Sequence, residues 1–141
     1  MSFAFEVTGA PKPDDFAHLR EALSAFNEVD VGPAEKRALA IFMCDYSGAI
    51  AGGLSGYTAW GWLYVQWLWL SEDARGQGLA GELLSRAEAE ALARGCHGAW
   101  IDTFSSHALN AYRKAGYIPF GTLDDFPKGR TRTFLQKRLE G

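Results

Sequence analysis

A glycine-rich turn between an apolar strand and an amphipathic helix is the part of this sequence best suited to chemistry. The turn reads Arg75-Gly76-Gln77-Gly78-Leu79-Ala80-Gly81. The first amides of a helix have no intrahelical acceptor, and the helix dipole places partial positive charge at the same point. Glycine lets the backbone adopt unusual dihedral angles and lets a ligand approach closely, while Arg75 adds a forked cation suited to phosphate. The pattern predicts a site for a phosphorylated cofactor.

The elements on either side of this turn are strongly patterned. Small and apolar residues recur at helical spacing after it: Ala80, Leu83, Leu84, Ala87 and Ala91. Two pairs with i,i+4 spacing place an acid before a base: Glu82 with Arg86, and Glu90 with Arg94. These pairs favour a helix, and Gly95 is a natural C-terminal stop. The preceding segment, 62–70, is almost continuously apolar, which predicts a central strand buried on both faces.

One interpretation of the turn is a dinucleotide site. Gly76-x-Gly78-x-x-Gly81 matches the Rossmann fingerprint, and Asp102 lies about 20 residues further on, where a ribose-binding acid is expected. The context is poor, because the preceding segments indicate an antiparallel hairpin and too little chain follows Asp102 for a doubly wound sheet. A Walker-type loop is excluded because no Gly-Lys-Ser/Thr follows the glycines.

The other interpretation is an acyl-CoA site. Arg75-Gly76-Gln77-Gly78-Leu79-Ala80 resembles the Arg/Gln-x-x-Gly-x-Gly/Ala signature of the GNAT family of N-acetyltransferases. The segment from Asn110 to Tyr117, with Tyr112 four residues ahead of a Gly-Tyr pair, resembles a late helix of that family. The matching segments cover roughly residues 40–122 and occur in the family's order.

This resemblance implies roles for individual residues. Six residues of the signature are expected to hold the pyrophosphate of coenzyme A: Arg75, Gly76, Gln77, Gly78, Leu79 and Ala80. The strand end, Trp69 to Ser71, is expected to bind the pantetheine arm, with the amide of Leu70 as oxyanion donor. Tyr112 matches the general acid that protonates the departing thiolate, and Asn110 in the same helix is placed to reach the cofactor. Ser105 stands where family members often carry an asparagine, and its hydroxyl is a candidate substitute.

The implied function is transfer of an acetyl group from acetyl-CoA to a primary amine of a small molecule or peptide, by direct attack in a ternary complex. Asp102, at the predicted end of a strand, is the first candidate for a general base; Glu72, Asp73 and His107 are others, and a neutral amine needs none. A non-catalytic acyl-CoA-binding module is the alternative. The sequence does not identify the acceptor amine.

Length, charge and cysteine content limit the number of domains, the partners and the metal sites to expect. A chain of 141 residues with 48% hydrophobic residues predicts a single domain over 1–141. The net charge of −3, with no basic run, argues against a nucleic-acid partner. Two cysteines without a Cys-x-x-Cys or His pair predict buried free thiols and no metal. The segment 60–70 is too short to cross a bilayer and the first residues lack a signal-peptide pattern, so the expected location is the cytoplasm without membrane association.

The predicted fold is a mixed, mostly antiparallel sheet of about six to seven strands flanked by helices, as the resemblance to the acyl-CoA N-acyltransferase fold also implies. The strands are predicted at 3–8, 38–46, 49–58, 62–70, 99–103, 117–123 and 131–137. The helices are predicted from Asp14 or Asp15 to Asn27, from the glycine turn to Gly95, and over 106–115. A dense aromatic set lies on one hairpin: Tyr57, Trp60, Trp62, Tyr64, Trp67 and Trp69. These residues are expected to fill the sheet core and a surface through which a homodimer could form, and the alternative is a cage that binds a cationic or planar amine by cation–π contacts.

Overall fold

The computed structural model describes residues 2–141 and divides into two compact units, one ending at Ala34 and one spanning Glu35–Gly141. In the first unit, helix α1 spans Pro13–Val31, and its C-cap residue is Gly32, whose φ is +90°. The helix therefore runs one turn past the predicted end at Asn27. Residues 3–8 have no regular secondary structure, so the strand predicted there is wrong. A strand forms only where its backbone groups pair with a neighbour, and no ladder includes this segment.

The second unit contains the sheet and two further helices. Its elements in chain order are β1 (Arg37–Cys44), β2 (Ile50–Ala59), β3 (Trp62–Leu70), α2 (Leu79–Ala93), β4 (Gly98–Thr103), α3 (Ser106–Lys114), β5 (Ile118–Asp124) and β6 (Thr131–Arg138). The six strands lie in the order β1-β2-β3-β4-β6-β5. Only the β3–β4 pair is parallel, because the α2 crossover connects these two strands. The predicted mixed, mostly antiparallel sheet is thus confirmed.

The core of this unit lies where α2 packs on the sheet. The helix buries Leu83, Leu84, Ala87 and Ala91, the face that the sequence periodicity indicated. Both i,i+4 ion pairs of the helix form, at 2.8 Å and 2.7 Å. Of the two free thiols, Cys96 is buried and Cys44 is exposed, so the burial predicted for Cys44 is wrong.

Strand β3 is buried along only half of its length. Leu63 and Val65 are fully covered, whereas Trp67 and Trp69 remain 68% and 54% exposed. The prediction of burial on both faces is therefore wrong for the second half of the strand. The cause is a β-bulge: Ser55 pairs with Trp67 and Gly56 with Val65, so Gln66 is an extra residue in β3.

Glycine at position 56 makes the bulge sterically feasible. A Cβ added there would overlap the carbonyl oxygen of Tyr64 on the neighbouring strand. Only a residue without a side chain lets the two backbones approach so closely. The bulge redirects β3 just before the strand reaches the glycine-rich turn.

A buried polar cluster ties α2 to the end of the sheet. Glu88 on α2 accepts hydrogen bonds from the hydroxyl of Tyr117 at 2.9 Å and from Nζ of Lys137 at 2.7 Å. Lys137 also donates to the carbonyl oxygen of Ala115 at 2.8 Å. Burial and the adjacent Glu88 carboxylate raise the pKa of Tyr117 well above its usual value. The cluster satisfies a charge that would otherwise be expensive to bury.

Replacing Lys137 with methionine is expected to lower the free energy of unfolding by about 2 kcal/mol, because Glu88 would remain buried without a counter-charge. Urea denaturation of both proteins measures the difference. The exposed Lys128, replaced in the same way, serves as control and should change stability by less than about 0.5 kcal/mol. Equal stability of the two variants would contradict the proposed role of the cluster.

Among residues 2–141, none of the helices combines sufficient length with sufficient apolar character to cross a bilayer.

Candidate active site

The turn between β3 and α2 forms an open cradle of backbone amides. After β3, a short 3-10 helix spans Glu72–Ala74, and Gly76 and Gly78 then adopt φ values of +74° and +76°. These left-handed conformations favour glycine over any other residue. Gly78 is the N-cap residue of α2. Because glycine has no side chain that could accept a hydrogen bond, the backbone amides of the first helical turn stay open. A Cβ at Gly76 or Gly78 would meet no atom within 4 Å, which leaves the space above the turn clear for a ligand.

The predicted signature residues surround this cradle. Arg75 donates from Nε to the carbonyl oxygen of Leu70 at 3.1 Å, and Gln77 donates from Nε2 to the carbonyl oxygen of Asp73 at 2.8 Å. Arg75 therefore braces the turn against the strand end, and Gln77 braces it against the 3-10 helix. Leu79 and Ala80 form the first positions of α2, where the helix dipole is positive.

A cleft opens beside the cradle where two parallel strands separate. β3 and β4 pair from Trp62↔Gly98 to Val65↔Ile101 and no further, although β3 continues to Leu70 and β4 to Thr103. The separation begins at the Gln66 bulge, which turns β3 away from β4. The unpaired strand ends leave backbone donors and acceptors for a bound molecule.

The backbone at the end of β3 has a definite orientation in this cleft. The amide of Ser71 donates to the carbonyl oxygen of Ala51 at 2.8 Å, so it faces β2. Successive residues of an antiparallel ladder point their backbone groups to opposite sides. The backbone of Trp69 therefore also faces β2, whereas that of Leu70 faces away from it. Of the three residues predicted to bind the pantetheine arm, Leu70 alone directs its amide toward the cleft.

Tyr112 lies in α3 with its side chain almost wholly buried, at 5% exposure. Burial, and then the negative charge of Asp102, raise the pKa of Tyr112 to about 12. The phenol is therefore protonated throughout the physiological range. A protonated hydroxyl is available to donate toward a sulfur that gains negative charge.

Two further predicted residues belong to α3. Ser105 is the N-cap, and its Oγ accepts from the amide of Ala108 at 3.2 Å, which starts the helix. The Ser105 hydroxyl proton remains available for a second partner. Asn110 is exposed on the same helix. The structure thus places both residues on the element that carries Tyr112.

Asp102 is the first residue of β4 beyond its pairing with β3 and is held in an ion pair. Its Oδ1 accepts from Nη1 of Arg132 on β6 at 2.9 Å, with both side chains largely buried. Burial is the largest cause of the raised pKa of both Tyr112 and Tyr64, and the negative charge of Asp102 raises the pKa of each further. Sequence reasoning found Asp102 but missed Arg132, because the two residues are 30 positions apart and only strand pairing brings them together.

The fold does not support the dinucleotide interpretation. A doubly wound sheet is parallel, whereas this sheet has one parallel pair. The third fingerprint glycine normally permits close helix–strand packing, yet a Cβ at Gly81 would meet no atom of a neighbouring element within 4 Å. In the described part of the chain, residues 2–141, no cluster of three or more His, Cys, Asp or Glu residues is arranged to hold a metal ion.

Comparison with known proteins agrees with this geometry. The model of the acetyltransferase (GNAT) family matches residues 5–117. An acetyltransferase of Agrobacterium fabrum is 44% identical over 121 residues, which are 86% of this chain and 88% of that protein. Blasticidin-S acetyltransferase of Streptomyces morookaense is 40% identical over 101 residues, 71% of this chain and 74% of the relative.

A solved structure extends the likeness to three dimensions. The crystal structure of a protein assigned as an acetyltransferase from Agrobacterium tumefaciens superposes with a TM-score of 0.90 at 40% identity, over 96% of this chain and 99% of the other. The family match covers most of the chain and includes the glycine-rich turn, the separated strands and the helix of Tyr112. This chain belongs to the acetyltransferase (GNAT) family.

Proposed function

We propose that this protein transfers an acetyl group from acetyl-CoA to the primary amine of a small molecule or peptide. One observation carries the proposal: the amide cradle at Gly76 and Gly78 opens beside the cleft where β3 and β4 separate. An anionic cofactor with a long, amide-bearing arm fits such a combination of sites. Its pyrophosphate would meet the cradle, and its arm would enter between the strand ends.

The chain's own groups have distinct tasks in this proposal. The amides of the first turn of α2 and the terminal nitrogens of Arg75 bind the pyrophosphate. The amide of Leu70 donates to the thioester oxygen, on which negative charge develops as the amine attacks. Trp69 and Ser71, whose backbone groups face β2, contribute side-chain contacts near the arm.

The chemical step is a direct displacement. The nitrogen lone pair of the neutral amine forms a bond to the thioester carbonyl carbon, and the carbon–sulfur bond then breaks. The amine gives up one proton and the departing thiolate takes up one, so the products are an amide and free coenzyme A. Holding both reactants in one cleft supplies much of the rate enhancement.

Tyr112 supports the departure of the thiolate by donating a hydrogen bond to sulfur. Its pKa of about 12 lies above that of an ordinary thiol, near 8.5, so complete proton transfer from the phenol is uphill even to the free thiolate. The phenol therefore stabilises the departing sulfur as a hydrogen-bond donor, and the thiolate takes its proton from solvent. Asp102 forms hydrogen bonds with Arg132 and with the Tyr64 hydroxyl, and in this proposal its carboxylate also receives the amine proton.

Calorimetric titration with acetyl-CoA, and separately with NADH, tests the cofactor. We expect saturable binding of acetyl-CoA and no binding of NADH. A thiol-release assay with a panel of primary amines then tests catalysis. Binding without thiol release for any amine would favour a non-catalytic acyl-CoA-binding module, and binding of NADH alone would refute the proposal.

A further inference from the structure

The side chain of Arg132 is fixed by one ion pair and two aromatic contacts. Its Nη1 donates to Asp102, and its guanidinium carbon lies 3.9 Å from the ring centre of Phe126 and 5.2 Å from that of Phe104. Contacts with aromatic faces and an ion pair together fix the plane of the guanidinium group. Such a fixed plane is a feature of arginines that recognise planar anions.

One donor of this guanidinium has no partner. Within residues 2–141, Nε of Arg132 is the buried side-chain nitrogen or oxygen atom that lacks a hydrogen-bond acceptor. A buried donor without an acceptor destabilises the folded protein, so native structures rarely keep one without a reason. Nε and Nη2 form the side-on fork of the guanidinium group, and the bond to Asp102 uses the other terminal nitrogen. The fork therefore remains for an incoming acceptor.

The position of the pair connects it with the cleft. Asp102 is the first residue of β4 beyond its pairing with β3, and its charge reaches the Tyr112 phenol. Arg132 lies beside it on β6, next to the exposed loop that carries Phe126. A negative and a positive group thus lie side by side at the edge of the proposed acceptor site.

From this arrangement we propose that Arg132 recognises a carboxylate on the acceptor, so that the substrate is a zwitterionic amine, an amino acid or a molecule of similar charge pattern. The amine lies toward Asp102 and the cleft, and the carboxylate oxygens accept from the Nε–Nη2 fork of Arg132. Phe126 moves aside or adjusts as the carboxylate enters, because its ring covers the guanidinium group. This inference rests on the proposed acetyl transfer, of which it specifies the substrate class.

Matched pairs of amines test the charge requirement. We would measure kcat/KM for glycine with glycinamide, β-alanine with β-alaninamide, and lysine with lysinamide, each at saturating acetyl-CoA. In Arg132→Met, kcat/KM for the carboxylates should fall about tenfold or more, while that for the amides changes about twofold or less. Comparison of one pair in two proteins cancels the different basicity of the two amines.

Further variants separate recognition from folding. Arg132→Lys keeps a charge beside Asp102 but loses the planar fork, so it should show the same loss of discrimination while remaining folded. Asp102→Asn should weaken both members of each pair equally, because it acts on the amine. Arg138→Met removes the same charge from the same face at the far end of β6, opposite Gly98, and should change neither rate constant.

Each outcome decides between definite alternatives. Equal losses for carboxylates and amides in both Arg132 variants would reduce Arg132 to a structural partner of Asp102 and overturn the inference. If the unaltered protein binds acetyl-CoA but shows no higher kcat/KM for any carboxylate than for its amide, the inference would also be overturned, while the proposed function would stand. Failure to bind acetyl-CoA would instead refute the proposed function itself.

Discussion

Replacing Gly78 with alanine is expected to weaken acetyl-CoA binding by about 100-fold or more. Gly78 has a φ of +76° and opens onto empty space above the turn, where the pyrophosphate is proposed to lie. A Cβ there would hold the phosphate away from the amides of the first helical turn. Loss of two charge-assisted hydrogen bonds, each contributing about 1.5–3 kcal/mol, corresponds to this loss of affinity. Calorimetric titration of the variant measures it.

Gly95 provides a matched control for backbone strain. It follows the same helix at its other end, has a φ of +86°, and is likewise surrounded by open space. Alanine at either position should lower the free energy of unfolding by about 1 kcal/mol, because both must adopt a left-handed conformation. Gly95→Ala should bind acetyl-CoA normally. Equal affinity of the Gly78 and Gly95 variants would refute the phosphate cradle.

Replacing Tyr112 with phenylalanine is expected to lower kcat by about 100-fold with little change in acetyl-CoA affinity. The phenol is buried and, in this proposal, acts on sulfur only as the carbon–sulfur bond breaks. Removal of a group that donates only in the transition state reduces kcat and kcat/KM together. Steady-state kinetics and calorimetry with acetyl-CoA separate the two effects.

The control for losing a buried phenol is Tyr117→Phe. Its hydroxyl bonds to Glu88 rather than facing the cleft, so this variant should lose stability and keep its kcat at temperatures where it is folded. A normal kcat in Tyr112→Phe would remove that residue from the mechanism.

The pH dependence supplies a second test of Tyr112. An acid must be protonated to act, and a pKa of about 12 keeps the phenol protonated well above pH 10. The rate should therefore rise with pH as the substrate amine loses its proton, without a falling limb near pH 10. Tyr112→Phe should show the same profile at a lower rate. A falling limb near pH 10 that disappears in the variant would mean that Tyr112 titrates at its ordinary pKa.

The features predicted well from the sequence are those with local physical causes. The turn at Gly76 and Gly78 follows from residues without a Cβ, and α2 follows from apolar spacing and adjacent ion pairs. The helix that carries Tyr112 begins at a serine cap within the same short segment. In each case the interacting groups are close in the chain, so a pattern of residue types is sufficient to predict them.

The errors have a different origin. The segment 3–8 has an alternating pattern suited to a strand, but a strand also needs a pairing partner. Trp67 and Trp69 are apolar, yet they are exposed because the extra residue Gln66 shifts the alternation of β3, so that Leu68 and Leu70 face the core instead. A local pattern contains no information on either condition.

The sequence by itself therefore determined the family, the phosphate-binding turn, the main helices and the identities of Leu70 and Tyr112 as site candidates. Only the tertiary structure decided which backbone amide faces the cleft, where β3 and β4 separate, and that Arg132 meets Asp102 beneath Phe126. These features depend on strand register and on contacts between distant segments. Such contacts are settled by the packing of the whole sheet, because a shift of one residue in register would turn each of these groups to the opposite side.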